Sequence, residues 1–199
     1  MISIIFPDSS VKKFEKGTKV IDVAKSISEG LARKVISASF NSETYEMESE
    51  LHVDGSIKFY TWDDDEGKQA FWHSSAHILA QTIKFFYPKS KLTIGPSIEN
   101  GFYYDFARKE TFTLSDLPKI EKKMHEIINK GEKFTREVWS RDDAISFFKN
   151  KGEEYKIELI EGLNPDEDIT IYKQGEWLDL CRGPHMLSTK QIGKGFKLM

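Results

Sequence analysis

The chain has 199 residues, of which 39% are hydrophobic and 31% are charged, and its formal net charge is −3. Such a composition is typical of a folded, well-solvated protein, and the acidic balance excludes a binder that grips nucleic acid through an overall basic surface. One cysteine excludes a disulfide within the chain and fits a reducing compartment. No apolar run reaches the ~18–20 residues of a membrane span, and the first residues lack a signal-peptide pattern. We therefore expect a cytoplasmic protein without a membrane partner.

Residues 1–62 predict a small domain rich in strands. Apolar, β-branched runs bounded by turn formers indicate four strands: Ile2–Phe6, Val11–Phe14, Val35–Phe40 and Ile57–Tyr60. Between the second and third strands, Thr18 is a candidate N-cap for a helix that we expect to end at Gly30. The order ββα followed by ββ resembles a β-grasp, ubiquitin-like module. On fold grounds alone, such a module is a docking or spacer unit without chemistry.

The acidic run Asp63–Gly67 predicts a linker, because like charges followed by glycine pack poorly. Helices are indicated by apolar residues at spacings of three and four over Phe71–Tyr87, from Ser115 or Asp116 to Gly131, and from Ser140 onward. Strands are predicted at Phe134–Trp139, Tyr155–Ile160, Ile169–Tyr172 and Trp177–Leu180. Strands mixed with segregated helices predict an α+β second domain over residues 63–199, and hence an α+β fold class for the chain.

Three of the five histidines and the single cysteine form two pairs with a spacing of four residues. His73 and His77 lie one above the other on the predicted helix, beside its apolar stripe. Cys181 and His185 flank a Gly-Pro step, which favours a loop after a strand. Isolated histidines are usually structural, but this pair of pairs favours a functional site. Such a set of nitrogen and sulfur ligands could hold zinc, or it could move protons around a bound ester.

Longer motifs make a resemblance specific. They are His73–His77, Ile94-Gly95-Pro96 with Glu99–Asp105, and Asp179–His185. With these motifs the chain resembles the N-terminal region of bacterial-type threonyl-tRNA synthetases, which comprises a TGS domain and an editing domain. The likeness covers essentially the whole chain. Because the class II aminoacylation motifs are missing, we expect a fragment that cannot activate threonine and whose second domain is truncated at its C-terminal end.

The resemblance implies that residues 63–199 hydrolyse the ester of seryl-tRNA(Thr), so that translation stays accurate. It implies catalytic roles for His73 and Lys156, and substrate binding by the other pocket residues His77, Tyr104, Asp179, Cys181 and His185. The residues by themselves give blander expectations. Lys156 would be a solvated lysine on a strand, Tyr104 a core or rim residue, and Asp179 a cap at a strand end.

The expected partner is the 3′ end of tRNA(Thr) carrying serine. We expect no required metal in this fragment, with zinc held by the four histidine and cysteine residues as the alternative. The full-length enzyme would use ATP, magnesium and zinc in its absent catalytic domain. It would be a homodimer, whereas the fragment is expected to be a monomer.

Four rival interpretations stay open. One is a non-catalytic RNA-docking module with a structural zinc knot, and another is a free-standing alanyl-type editing hydrolase. In a third, Cys181 acts as a nucleophile in place of water, which requires a thiolate and a neighbouring base. The fourth is a TGS unit that binds GTPase-like partners, although no P-loop pattern is present.

Overall fold

The structure is a computed structural model that describes all residues from Met1 to Met199. Contacts within the chain divide it into two compact units. The first comprises Met1–Phe71 with Pro184–Leu187, and the second comprises Trp72–Gly183 with Ser188–Met199. No helix combines the length and the apolar character that crossing a bilayer requires.

The first unit is a β-grasp domain, as the sequence predicted. Its elements are β1 (Ile2–Ile5), β2 (Val11–Phe14), β3 (Thr18–Lys19), α1 (Val20–Ile27), α2 (Glu29–Lys34), β4 (Ser37–Phe40), β5 (Glu43–Tyr45), β6 (Glu50–Leu51) and β7 (Gly55–Tyr60). The main sheet has the order β2-β1-β7-β4-β5, in which β1 and β7 are parallel and the other neighbours are antiparallel. The buried face of α1 packs with the sheet residues Ile4, Ala38 and Ile57 in one apolar core.

The predicted helix of this unit is wrong at both ends. Thr18 lies in β3, and α1 begins at Val20. It ends at Ile27, because Ser28 adopts an extended conformation and its side chain accepts the Leu31 N–H as the cap of α2. A serine side chain that satisfies a free N–H group favours the start of a new helix over continuation of the old one.

The remaining elements follow in the order α3 (Asp65–Phe86), β8 (Lys91–Leu92), β9 (Ser97–Ile98), β10 (Gly101–Phe102), β11 (Phe106–Ala107), α4 (Leu117–Lys130), β12 (Phe134–Trp139), α5 (Arg141–Lys151), α6 (Glu154–Glu161), β13 (Ile169–Gln174), β14 (Trp177–Leu180) and a 3-10 turn (Thr189–Ile192). Strands β12, β13 and β14 form an antiparallel sheet, and β8 pairs with β11 and β9 with β10. This mixture confirms the α+β class.

The acidic run Asp63–Gly67 is not a linker throughout, because α3 already begins at Asp65. Asp64 accepts the N–H of Thr61 just before the helix. Negative charges are favourable at a helix N-terminus, where the free N–H groups and the helix dipole attract them. The acidic residues that suggested a linker therefore lie at the start of a helix, where they are favourable.

Helix α3 is buried more widely than a single apolar stripe. The five consecutive residues from Ser74 to Ile78 are all buried, whereas a stripe with spacings of three and four would bury only part of this turn. Small side chains at Ser74, Ser75 and Ala76 allow neighbouring groups to approach this turn closely. The segment between the two histidines is therefore enclosed by protein.

The strand predicted at Tyr155–Ile160 is wrong, because these residues lie in α6. Buried positions in this segment are Glu153, Lys156 and Ile160, at helical spacings of three and four. Two of the three are charged, so a pattern of apolar residues could not reveal the buried face. Ile160 joins Ala144 and Phe148 of α5 and the apolar face of β13 in one core cluster.

This helical assignment predicts a clear difference between two neighbouring positions. Ile160 is completely buried, whereas Leu159 is 39% exposed. We expect Ile160→Ala to lower the free energy of unfolding by about 2–5 kcal/mol, because it leaves a cavity in the core. Leu159→Ala, the matched control, should cost less than about 1 kcal/mol. Urea denaturation of the two variants measures the difference, and equal losses would contradict the assignment.

Candidate active site

Helix α3 positions the two histidines one turn apart. Their rings meet edge to face with centroids 5.5 Å apart. His77 is buried and also meets the Trp177 ring edge to face at 5.4 Å, while His73 is half-buried. Burial lowers the pKa of His77 well below its ordinary value, and the charges of His73 and Lys156 lower it further. His77 is therefore a neutral imidazole at physiological pH.

Cys181 is fixed by backbone contacts directly after β14. Its N–H donates to the Thr170 carbonyl on β13 at 3.1 Å, and the Thr170 hydroxyl donates to the Cys181 carbonyl. The Cys181 sulfur accepts the N–H of Gly183 at 3.2 Å and lies 3.1 Å from Nε2 of His73. Gly183 has a positive φ of 71°, which glycine adopts without strain. The strand end therefore presents the thiol to the helix histidine.

The donor set of this cluster fits zinc chemically. His185 follows Cys181 by four residues and is buried, and its N–H donates to Glu46. Within the second unit, His73, His77 and Cys181 each offer one ligand atom, and these three atoms lie within 4.8 Å of one another. Three imidazoles and a thiolate are a set that zinc binds, at about 2.0–2.3 Å from each ligand atom.

A second polar cluster is built on a buried ion pair. Nζ of Lys156 lies 2.9 Å from each carboxylate oxygen of Asp179, and both side chains are almost fully buried. The Tyr104 hydroxyl donates to Asp179 at 2.8 Å and accepts from Lys156 at 3.1 Å. Asp179 also accepts the N–H of Leu180. Because several hydrogen bonds satisfy both charges, the pair can persist away from water.

Tyr104 stays protonated in this environment. Burial raises the pKa of its hydroxyl well above the ordinary value, and the Asp179 carboxylate raises it further. A neutral hydroxyl can act as a hydrogen-bond donor to the carboxylate, as observed. The Tyr104 ring stacks on Phe106, with centroids 4.8 Å apart.

The backbone places the two clusters side by side. Asp179 and Cys181 are two residues apart along an extended segment, so their side chains point to the same side. Lys156 contributes to the pKa shift of His77, and Cys181 contributes to that of Tyr104. The histidine–cysteine pair and the lysine–carboxylate pair therefore share one electrostatic environment.

Glu153 anchors the helix that carries Lys156, a role that no sequence pattern indicated. It is buried directly before α6, where one carboxylate oxygen forms an ion pair with Lys84 of α3 and the other accepts the N–H of Leu92. Lys84 lies 69 residues away in the sequence. A pairing over this separation has no local signal.

The structure brings together His73, His77 and Cys181 and, separately, the group of Tyr104, Lys156 and Asp179. His185 lies in the first compact unit. The expectation of a solvated Lys156 is wrong, since only 2% of the residue is exposed. The expectation that Asp179 merely caps a strand end is incomplete, because its carboxylate holds Lys156 and Tyr104 as well as one backbone N–H.

The ion pair yields a stability prediction. We expect Asp179→Asn to lower the free energy of unfolding by about 3–5 kcal/mol, because the buried Lys156 charge loses its counter-charge. Asp65→Asn is the matched control, since Asp65 pairs with Lys68 at the surface, where such pairs contribute at most about 1 kcal/mol. Urea denaturation monitored by tryptophan fluorescence tests both variants. Similar losses for the two would show that the Lys156–Asp179 pair is dispensable.

Family models match both parts of the chain. The model of the TGS domain matches residues 2–61, and the model described as the threonyl and alanyl tRNA synthetase second additional domain matches residues 169–199. The second match contains β13, β14, Asp179 and the Cys181–His185 pair.

Curated relatives extend the similarity over the remaining residues. Threonine--tRNA ligases of Chelativorans sp. strain BNC1 and Rhizobium rhizogenes strain K84 are each 48% identical, over 99% and 100% of this chain. That of Brucella suis biovar 1 is 46% identical over 100% of it. The chain spans about 30% of the length of each of these relatives. The predicted resemblance is therefore confirmed: this chain carries a TGS domain and a segment of the second additional domain, and it is similar along its length to part of the threonine--tRNA ligases.

Proposed function

We propose that this chain is the editing part of a threonine--tRNA ligase and that it hydrolyses the ester of seryl-tRNA(Thr). The observation that carries the proposal is the direct approach of His73 to Cys181, next to the buried group of Lys156, Asp179 and Tyr104. Two polar clusters that share one environment provide proton carriers and a fixed positive charge for an ester substrate. The similarity to threonine--tRNA ligases supplies the class of substrate.

Selection of serine over threonine needs a second site for a physical reason. The two amino acids differ by one methyl group, which a binding pocket discriminates by only about 1–3 kcal/mol. In the proposal, the editing pocket accepts serine and excludes threonine because the additional methyl group has no space. Threonine that is correctly attached to the tRNA then escapes hydrolysis.

The proposed reaction is a direct attack by water. The water oxygen bonds to the ester carbonyl carbon while His73 accepts a proton from the water, so that negative charge develops on the carbonyl oxygen. The bond from that carbon to the ribose oxygen then breaks, and the ribose oxygen receives a proton. The products are serine and tRNA with a free terminal hydroxyl group.

Lys156 is the second catalytic residue in the proposal, and it acts through its charge. Its ammonium group already donates to Asp179 and Tyr104. In the proposal, this buried cation stabilises the negative charge that develops during attack. His77, Tyr104, Asp179, Cys181 and His185 bind the seryl group and the terminal adenosine.

Zinc is the alternative to a site without a required metal. His73, His77, Cys181 and His185 would hold the ion, which would polarise a bound water or carbonyl group. In that case the same four residues define the site, but His73 no longer serves as the proton acceptor.

The partner in this proposal is the serine-bearing 3′ end of tRNA(Thr), bound by a monomeric chain. ATP, magnesium and a further zinc ion belong to the aminoacylation domain of the complete enzyme, which is a homodimer. The main rival is an RNA-docking module in which the four ligands form a structural zinc knot.

Deacylation by the isolated chain tests the proposal. We expect hydrolysis of seryl-tRNA(Thr), little hydrolysis of threonyl-tRNA(Thr), and activity that persists after chelation. His73→Ala should slow the reaction by about 10²–10⁴-fold, because a positioned acid–base group contributes about that much. Its melting temperature should stay close to that of the parent chain. His52→Ala, at a surface histidine 62% exposed in its side chain, is the matched control.

Three outcomes would contradict parts of this scheme. A His73→Ala chain that unfolds would support the structural zinc knot. Stoichiometric zinc that is lost together with activity on chelation would support the metal mechanism. Equal hydrolysis of seryl-tRNA with threonine and alanine acceptors would support an alanyl-type editing hydrolase.

The position of the Tyr104 ring can be tested by a substitution at Gly95, whose backbone lies against the ring. A Cβ added at Gly95 would lie 2.1 Å from Cδ2 of the Tyr104 ring, whereas one at Gly101 would meet no atom within 4 Å. We expect Gly95→Ala to displace the ring and to reduce kcat/KM for seryl-tRNA at least about tenfold. This corresponds to a loss of ~1.4 kcal/mol in transition-state stabilisation. Gly101→Ala, the control, should keep the parent rate. An unchanged rate in Gly95→Ala would remove Tyr104 from the proposed pocket.

A further inference from the structure

A cavity at the C-terminal end of α3 collects positive charge within an acidic chain. Its volume is about 760 Å³, and Lys89, Lys91, Arg108 and Lys109 line it together with the single carboxylate of Glu110. These side chains give the cavity a formal charge of +3, whereas the chain carries −3. The sequence between Glu66 and Glu99 contains four lysines and no acidic residue. Of these lysines, Lys89 forms no ion pair with a carboxylate from elsewhere in the chain, whereas the other three do.

Strand pairing creates this cavity. Lys91 of β8 pairs with Ala107 of β11. This pairing brings the loop between α3 and β8, which contains Lys89, close to Arg108 and Lys109, which follow β11. Lys91 itself is occupied, since it donates to the Gly152 carbonyl and lies 3.8 Å from Glu154. Lys89 and Lys109 are exposed, and neither forms an ion pair in the structure. These two ammonium groups are therefore available to a ligand.

Arg108 forms a rigid wall of the cavity. Its guanidinium carbon lies 4.1 Å from the centroid of the Tyr87 ring and 4.5 Å from that of Phe112, and its side chain is only 13% exposed. Its Nη2 reaches Glu110 at 3.4 Å, and Nη1 is buried without a hydrogen-bond acceptor. A guanidinium that aromatic rings hold in place, with donors left unused, is suited to an anion with several oxygen atoms.

We infer that this cavity binds a phosphate group of an RNA backbone. The inference rests on the proposed function for the identity of the RNA, but the cavity and its charges do not depend on that function. Because the net charge of the chain repels RNA at long range, a local set of cations is needed to hold the backbone. Lysine and arginine are among the side chains that contact phosphate oxygens in protein–nucleic acid interfaces.

The test measures binding of an uncharged tRNA(Thr) transcript, which requires no hydrolysis. We expect Lys89→Glu/Lys109→Glu to raise Kd at 0.1 M salt at least about tenfold, and to reduce the slope of log Kd against log salt by about 1–2. Lys13→Glu/Lys16→Glu changes the net charge equally at exposed lysines of the β-grasp unit and serves as the control. The inference is overturned if both variants lose the same affinity, or if the salt slope of the cavity variant is unchanged.

Deacylation separates this inference from the proposed function. For the cavity variant, we expect KM for seryl-tRNA(Thr) to rise while kcat at saturation stays near the parent value. If the parent chain binds tRNA but hydrolyses no ester, the proposed function fails and the binding comparison still decides the role of the cavity. If hydrolysis occurs and the cavity variant keeps the parent KM, the phosphate site fails alone.

Discussion

The buried pair of Lys156 and Asp179 is the interaction on which the geometry of the candidate site depends. Two charges removed from water are tolerated only when each has a full set of partners. Tyr104 and the N–H of Leu180 complete the set around Asp179. Because the carboxylate is at the end of β14 and the ammonium is on α6, the pair fixes the helix against the sheet. Any displacement of α6 would leave a charge without its partner.

Cys181 shows how the same strand end serves two purposes. Its backbone continues the pairing with β13 through Thr170, while its sulfur lies against His73 of α3. Lys84, further along α3, forms an ion pair with Glu153 immediately before α6. Sheet, helix α3 and helix α6 are thus joined by polar contacts around the reactive groups. A site whose residues are held by other fixed residues is preorganised, which is the condition for stabilising charge during a reaction.

The distribution of charge separates recognition from chemistry in the proposed scheme. The polar groups around His73 are enclosed and few, as suits the small seryl group. The cavity lined by Lys89, Arg108 and Lys109 is cationic and suits the backbone of a large polyanion. An acidic chain that acts on RNA benefits from such a division. A strongly basic surface would hold every RNA, whereas one local contact adds affinity once the 3′ end is placed.

The sequence by itself determined the β-grasp domain, helices α3, α4 and α5, and strands β12, β13 and β14. It also determined the four-residue spacing of His73 from His77 and of Cys181 from His185. Periodicity and turn residues are local properties, and local forces create them. The sequence-based prediction of a strand at Tyr155–Ile160 was wrong. The buried face of α6 consists of Glu153, Lys156 and Ile160, and a charged residue is assigned to the surface as long as its buried partner is unknown. Lys156 entered the predicted site only through a resemblance. The tertiary structure decided three contacts: that of Lys156 with Asp179, that of Glu153 with Lys84, and the approach of the Tyr104 ring to Gly95. Each contact joins residues that no local sequence pattern relates to one another.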